Sequence, residues 1–128
     1  MLSISQAAKE TGLSIKSIRH YESIGLISAP PREENDYRFY PDDIIQQLHF
    51  IFKSKQAGFN LKECKALLLL SEDEHRNSAD VKSIALQKIQ EIENRIQQQQ
   101  AIVDQLKKIT QQCPGNLQAK CSIIDAFS

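Results

Sequence analysis

The stretch that decides the fold is Ile4-Ser5-Gln6-Ala7-Ala8-Lys9-Glu10-Thr11-Gly12-Leu13-Ser14-Ile15-Lys16-Ser17-Ile18-Arg19-His20-Tyr21-Glu22. It reads as two short helices around a tight turn. Ser3 or Ser5 is placed to cap a first helix over 4–13, with Ala7, Ala8 and Leu13 as its small or apolar contacts. Thr11-Gly12-Leu13 makes the turn. Ser14 caps a second helix from Ile15 to about Ile24, on which Ile15, Ile18, Tyr21 and Ile24 share a face, and Gly25 stops it. Ala8 permits a close crossing, Gly12 tolerates the positive φ of a tight turn, and branched Ile18 pins the second helix. That spacing suits a helix-turn-helix.

Working outward, Leu26-Ile27 and Pro30-Pro31 lead into two short extended pieces around Asn35-Asp36, the second being Tyr37-Arg38-Phe39-Tyr40. A hairpin directly after a helix-turn-helix is a wing. Pro41-Asp42-Asp43 opens a third helix, because proline suits the first positions and acids suit the positive helix end. Ile44, Ile45, Leu48, Ile51 and Phe52 form its apolar stripe. Gly58-Phe59-Asn60 breaks it, and Asn60 or its neighbour caps a fourth helix from about Leu61 to Leu70, whose run Leu67 to Leu70 is expected to be buried.

A polar loop over 71–78 precedes a long helix over about 79–111. Its heptad positions Ala85, Ile89, Ile92, Ile96, Gln99, Val103, Leu106 and Thr110 step alternately by four and three, which supports a coiled-coil seam. Leu86, Ile102 and Ile109 widen the stripe. Gln97 to Gln100 reads as a solvated face of good helix formers. At about 1.5 Å per residue such a helix is roughly 50 Å long. Alone it cannot bury its stripe, so it implies a second copy of itself. Cys113-Pro114-Gly115 ends it, and an apolar tail runs from Cys121 through Ile123, Ile124 and Phe127.

The fold class is therefore all-α with a small β-hairpin wing. A winged helix-turn-helix head with its connecting helices occupies 1–70 and a linker loop 71–78. A dimerisation helix follows at 79–111, then a cysteine-bearing loop, the candidate metal-binding loop, and a short terminal helix at 112–128. The 128 residues carry 16 Lys+Arg against 16 Asp+Glu, which excludes a uniformly basic nucleic-acid coat but not a local basic face. The 41% hydrophobic content argues against global disorder. No apolar run is long enough to span a bilayer, and the first residues lack the pattern of a signal peptide. Three cysteines, Cys64, Cys113 and Cys121, suit a reducing cytoplasm with thiols free or metal-bound.

Two constellations carry chemistry. Ser14, Lys16, Ser17, Arg19, His20 and Tyr21 lie on or near the second helix, and Arg32, Asn35, Tyr37 and Arg38 on the wing. Such donors grip phosphates, and Arg also reads guanine edges. Residues 14–40 hold four basic and four acidic side chains, so the site works by placement rather than bulk charge, and a dimer doubles it into two half-sites. His20 stands between a reader and a bystander. A head that binds protein instead, on a coiled-coil adaptor, is the rival from another class.

The second constellation is Cys113 and Cys121. Structural zinc needs about four ligands, usually from close C-x-x-C pairs, and none is present. Two thiolates alone suit a soft ion that accepts two ligands, Cu(I) or its congeners Ag(I) and Au(I), one ion per pair. Two buried free thiols, or a redox-sensing disulfide, remain as alternatives. If the coiled coil is antiparallel and centred near Ile96, position 113 of one chain lies opposite position 79 of the other. Ser78, read as the N-cap of the long helix, would then face the sulfurs without adding a thiolate. Cys64, amid Lys62, Glu63 and Lys65, reads as an incidental helical cysteine, and His49 and His75 have no ligand role. No phosphate loop, carboxylate pair or Ser/His/Asp grouping is present, so an enzyme is not expected.

These motifs resemble a known family. Ile4-Ser5 through Thr11-Gly12-Leu13, Ser17-Ile18-Arg19-His20-Tyr21-Glu22, Gly25-Leu26-Ile27, the segment Arg32 to Tyr40, and Gly58-Phe59-Asn60-Leu61 are similar to the head of MerR-family transcription regulators. His75 through Lys82, together with Cys113-Pro114-Gly115 and Cys121-Ser122-Ile123-Ile124, resemble the family's sensors of monovalent coinage metals. The resemblance implies a homodimer with an antiparallel dimerisation helix, bound to a promoter whose polymerase elements are over-spaced. The metal-free form represses; the metal-loaded form distorts the DNA so that RNA polymerase engages. Cys113 and Cys121 would be the ligands, and the partner's Ser78 stands where divalent-metal sensors carry cysteine. Arg19, Tyr21, Arg32, Tyr37 and Arg38 would contact DNA, with Lys16 and Lys55. The Cys/His-rich tail that some members carry is not seen through Ser128, which bears on any second metal site but not on the Cys113–Cys121 pair.

Overall fold

The computed structural model describes residues 2–30 and 39–128. In chain order its helices are α1 (Ile4–Thr11), α2 (Ile15–Ser23), α3 (Asp42–Gln56), α4 (Leu61–Glu72), α5 (Ser78–Gln112) and α6 (Ser122–Phe127). The chain divides into two compact units, Met1–Lys82 and Ser83–Ser128.

The first unit is built by its caps. Ser3 closes a capping box with Gln6 at the start of α1, and Asn60 closes another with Glu63 at the start of α4. Ser14 Oγ accepts the Ser17 N–H at 3.0 Å to start α2. Each cap satisfies backbone donors that the first helical turn leaves without partners. Gly12, at φ 82°, ends α1 earlier than the expected 13, with its N–H returned to the Ala8 carbonyl. The turn lies so close to α3 that a Cβ at Gly12 would sit 3.1 Å from the Phe52 ring. Gly12 therefore meets two demands at once, a left-handed backbone and a close approach of α3.

The core of this unit joins Ala7, Ile18, Tyr21, Leu26, Ile27, Tyr40, Ile44, Ile45, Leu48, Ile51 and Leu68. Ile24 falls outside it, because α2 has ended and Ile24 sits at the C-cap, exposed. The leucine run is also sorted by geometry. Leu68 is buried, Leu67 and Leu70 are half-buried, and Leu69 is 56% exposed. Four successive helical positions point around the whole circumference, so one core cannot take them all. Among the described residues β pairing is limited to one antiparallel bridge, in which Leu2 N–H donates to Tyr40 O (3.2 Å) and Tyr40 N–H to Leu2 O (2.7 Å). The expected hairpin wing, with Arg32, Asn35, Tyr37 and Arg38, lies outside the described residues.

α4 runs two residues past Leu70, which shortens the expected 71–78 loop to 73–77. Asn77, rather than Ser78, caps α5: its Oδ1 accepts the Ala79 N–H at 2.8 Å, and Ser78 already belongs to the first turn. In the second unit α5 carries its apolar seam outward. Ile89, Ile96, Val103 and Leu106 are all exposed, Ile96 by 60%. A shallow apolar groove of about 340 Å³ runs along Val103, Leu106, Lys107, Thr110 and Gln111.

Replacing Gly12 by alanine is expected to lower stability by about 1–2 kcal/mol from the left-handed backbone alone, with the Phe52 contact adding to it. A thermal or urea melt checks this; an unchanged midpoint would show that the turn can relax.

Candidate metal centre and nucleic-acid interface

Cys113 follows the last residue of α5, with its N–H donated to Thr110 O at 3.1 Å. Pro114 cannot continue the helix, and Gly115 turns the chain at φ 63°. Asn116 Oδ1 then accepts the Gln118 N–H at 2.9 Å, an Asx turn that bends the loop back. Cys121 is delivered to the N-cap of α6. The result is a separation of 3.4 Å between the Cys113 and Cys121 sulfurs, neither of which is in a disulfide.

The pair is electrostatically prepared. The Cys121 thiol is held below the ordinary cysteine range, first by the Ile124 N–H, then by the Cys113 thiol that donates to it, and then by the Ile123 N–H. A thiolate at this helix start is thus stabilised by backbone donors. Among the described residues no group of three or more His, Cys, Asp or Glu side chains is arranged to hold a metal ion. The two sulfurs fit a soft ion that both thiolates hold together, and they do not make a four-ligand zinc site. Cys64 is a different kind of group. It is fully buried on α4, burial pushes its thiol up, and its sulfur lies 3.8 Å from the Phe59 carbonyl.

The nucleic-acid candidates are partly drawn together. Lys16, Arg19 and His20 are exposed on α2, and Lys55 is exposed on α3. Ser14, Ser17, Tyr21 and Lys55 line one recess of about 310 Å³, walled by Phe52 and Gln56. Tyr21 lies on the apolar face expected of it, only 4% exposed with its ring in the core, and the part of it that reaches the surface lines this recess. Its ring centroid is 6.2 Å from that of His20. Phe52 and Gln56 were not legible as recess walls, because their contact with the turn depends on how α3 crosses α1. Ser78 and Cys113 are separated along the chain by the whole of α5, so nothing within a single helix brings them together.

A family model described as MerR family regulatory protein matches residues 3–40, and one described as MerR, DNA binding matches 45–109. The HTH-type transcriptional regulator CueR of Salmonella typhimurium is 45% identical over 127 residues, covering 99% of this chain and 92% of that protein. The chain belongs to the MerR family. These are helix-turn-helix, DNA-binding transcription regulators rather than enzymes. Among solved structures, the mercury(II)-bound MerR of Bacillus megaterium MB1 is 30% identical with a TM-score of 0.70, over 94% of each chain. The lead(II)-bound regulator PbrR691 of Ralstonia metallidurans CH34 covers 100% of both chains with a TM-score of 0.86 at 23% identity, a likeness of fold. As in a MerR-family head, the helix-turn-helix here is α1 and α2, and α5 is the long C-terminal helix. Among the described residues no helix is long and apolar enough to cross a membrane.

The thiol environments set an order of reactivity. Cys121 should alkylate at lower pH than an ordinary exposed cysteine, because its thiolate persists as the pH falls. Cys64, buried and held as the neutral thiol, should react last. Iodoacetamide labelling across pH 6–9, read by peptide mass spectrometry, checks the order, and Cys64 labelling ahead of Cys121 would contradict it.

Proposed function

We propose that the chain is a Cu(I)-responsive transcription regulator, with Ag(I) or Au(I) accepted at the same site, that binds promoter DNA as a homodimer in the cytoplasm. The observation that carries this reading is the pair of sulfurs 3.4 Å apart with no cluster of three or more ligands among the described residues. The curated relative's name as the regulator CueR supports it. Cys113 and Cys121 would hold one ion per pair. Bound there, the ion would supply two metal–thiolate bonds that fix the loop and neutralise one of the two thiolate charges.

The chain's own residues do the rest. The exposed seam of α5 pairs antiparallel with the same seam of a second copy, and the partner's Ser78 comes to lie beside the Cys loop without adding a thiolate. Ile123, Ile124 and Phe127 of α6 dock against the long helix or the head once the loop is ordered. That alters the angle between the two heads. Lys16, Arg19, His20, Lys55 and Ser14, the recess edge of Tyr21, and Arg32, Asn35, Tyr37 and Arg38 of the wing hold DNA. The duplex is then bent or untwisted so that RNA polymerase engages the promoter, which activates genes of copper efflux and homeostasis. RNA polymerase is thus a partner through the DNA, with no membrane involved. The domain plan of head (1–70), linker, dimerisation helix (79–111) and sensor loop (112–128) belongs to this proposal.

The same sulfur separation favours one rival, a thiol redox sensor that forms a Cys113–Cys121 disulfide. Titration of the reduced protein with Cu(I), with X-ray absorption to count ligands, separates the two. Two sulfur neighbours and unchanged free-thiol chemistry after chelation are expected; four ligands, or activation that survives a Cu(I) chelator under reducing conditions, would overturn the ion reading. Cys113→Ser should abolish the response to Cu(I) while leaving DNA binding intact.

Binding to DNA should weaken with salt as counterions are released. Lys55→Ala should lower affinity across sequences and reduce the slope of log K against log salt by about one. Fluorescence anisotropy at several salt concentrations reads both, and a salt-independent affinity would favour a protein-binding head.

A further inference from the structure

We propose that Gln47 on α3 and Lys65 on α4 are positioning residues that tie α4 to the connector leaving the recognition helix, so that movement at the foot of α4 reaches the DNA-reading head. This inference rests on the regulatory reading above and names the parts of the first unit that would transmit the signal.

The connector is the stretch between the end of α2 and Pro30. At its start Gly25 takes φ 75°, and the Leu26 N–H closes back on Tyr21 O at 2.8 Å. Leu26 and Ile27 are then buried in the core, and Ser28 emerges. α4 reaches this connector at both ends. Lys65 Nζ donates to Gly25 O at 2.8 Å, which sets a cation just beyond the C-terminal end of α2. Three residues on, Ser28 N–H donates to Gln47 Oε1 at 3.3 Å, while Gln47 Nε2 donates to Glu72 Oε1 at 2.8 Å.

The second tie has a direction built into it. A backbone N–H can only donate and a carboxylate can only accept, so the Gln47 amide satisfies both partners in one orientation alone. Glu72 is the last residue of α4, immediately before the short loop that leads to α5. Displacing Glu72 therefore pulls on the Gln47 amide, and through it on Ser28, which Glu72 does not touch. Gln47 and Glu72 also wall the recess of about 520 Å³ between α3 and α4, so the relay spans that recess. α3, in turn, carries Phe52 against the Gly12 turn, which keeps the relay in register with α1 and α2.

The test is amide hydrogen exchange on the full chain, read at Ser28 and Leu26, with thermal melting of each variant as a check on folding. In the metal-free protein Glu72→Ala should speed Ser28 exchange by about threefold to tenfold, the range expected for one lost hydrogen bond, while Glu72→Gln, which keeps the acceptor, should leave it at the wild-type rate. Lys65→Met should speed exchange at Leu26. Added Cu(I) should change Ser28 exchange in the wild type and fail to do so in Gln47→Leu, although Gln47→Leu still binds the ion with two sulfurs. Unchanged Ser28 exchange in Glu72→Ala, or a Cu(I) effect that persists in Gln47→Leu, would overturn the relay. If the wild type binds no Cu(I), the ion-sensing reading falls instead, and the metal-free comparison still decides the tie.

Discussion

Two sulfur atoms 3.4 Å apart can be held there only because the chain between them is folded back on itself. The turn at Gly115, the Asn116 side chain closing on Gln118, and the start of α6 at Cys121 each supply part of that return. Two full thiolates at such a distance would repel. The chain eases this by letting the Cys113 thiol donate to Cys121 and by setting Cys121 at the start of α6, where the Ile124 and Ile123 amides favour its thiolate. On the proposed reading a soft cation displaces that thiol proton and binds both sulfurs; on its rival an oxidant takes two electrons and the pair closes into a disulfide. Coinage-metal sensing and thiol oxidation are thus two ways of relieving one local electrostatic tension, which is why they compete as readings of the same pair.

Much of the head was legible because its signals are local. Ser3, Ser14 and Asn60 cap helices through hydrogen bonds spanning three residues, a spacing visible in any linear reading. Gly12 was legible as a turn, but its second reason, the Phe52 ring lying over it, was not, because that contact depends on how α3 crosses α1. Tyr21 shows the same limit. Its helical position makes it a core residue and a neighbour of the reading face at once, and composition cannot apportion the two. Asn77 displaced Ser78 as the cap of α5, since either side chain can do that work and only the backbone path selects one. In the C-terminal loop, the cysteines and the Pro-Gly turn were plain in the chain, whereas the amides that stabilise Cys121 are backbone groups that no residue type announces.

A chain with 16 basic and 16 acidic residues has no net attraction to offer a polyanion. Its DNA-binding head must then gain affinity from where a few cations stand. The folded unit does this by pairing acids with other tasks. Asp42 and Asp43 sit in the first turn of α3, where the helix dipole favours them, and Glu63 is spent in the capping box of α4. Glu72 accepts from Gln47. Lys16, Arg19 and Lys55 remain exposed near the turn of the helix-turn-helix.

On the proposed reading, the energetic demand on the cysteine loop is modest. Bending or untwisting a promoter-length duplex costs on the order of 1–6 kcal/mol. An ion shifts the balance between two head arrangements only by the difference in its affinity for them, and moving a population from mostly inactive to mostly active takes about 5.5 kcal/mol of such difference. Two metal–thiolate bonds formed equally well in both states would supply none of it. The discrimination has to arise where the loop meets something that differs between the states. On the proposed reading that is the apolar face of α6, whose Ile124 and Phe127 are exposed, and the groove beside Val103 and Leu106 on α5. Burying those two side chains in one state only would contribute about 1.5–3 kcal/mol each, which is the size the duplex requires. The cysteines would then serve as the trigger, and the free energy that deforms DNA would come from hydrophobic surface that the ion-ordered loop brings into place.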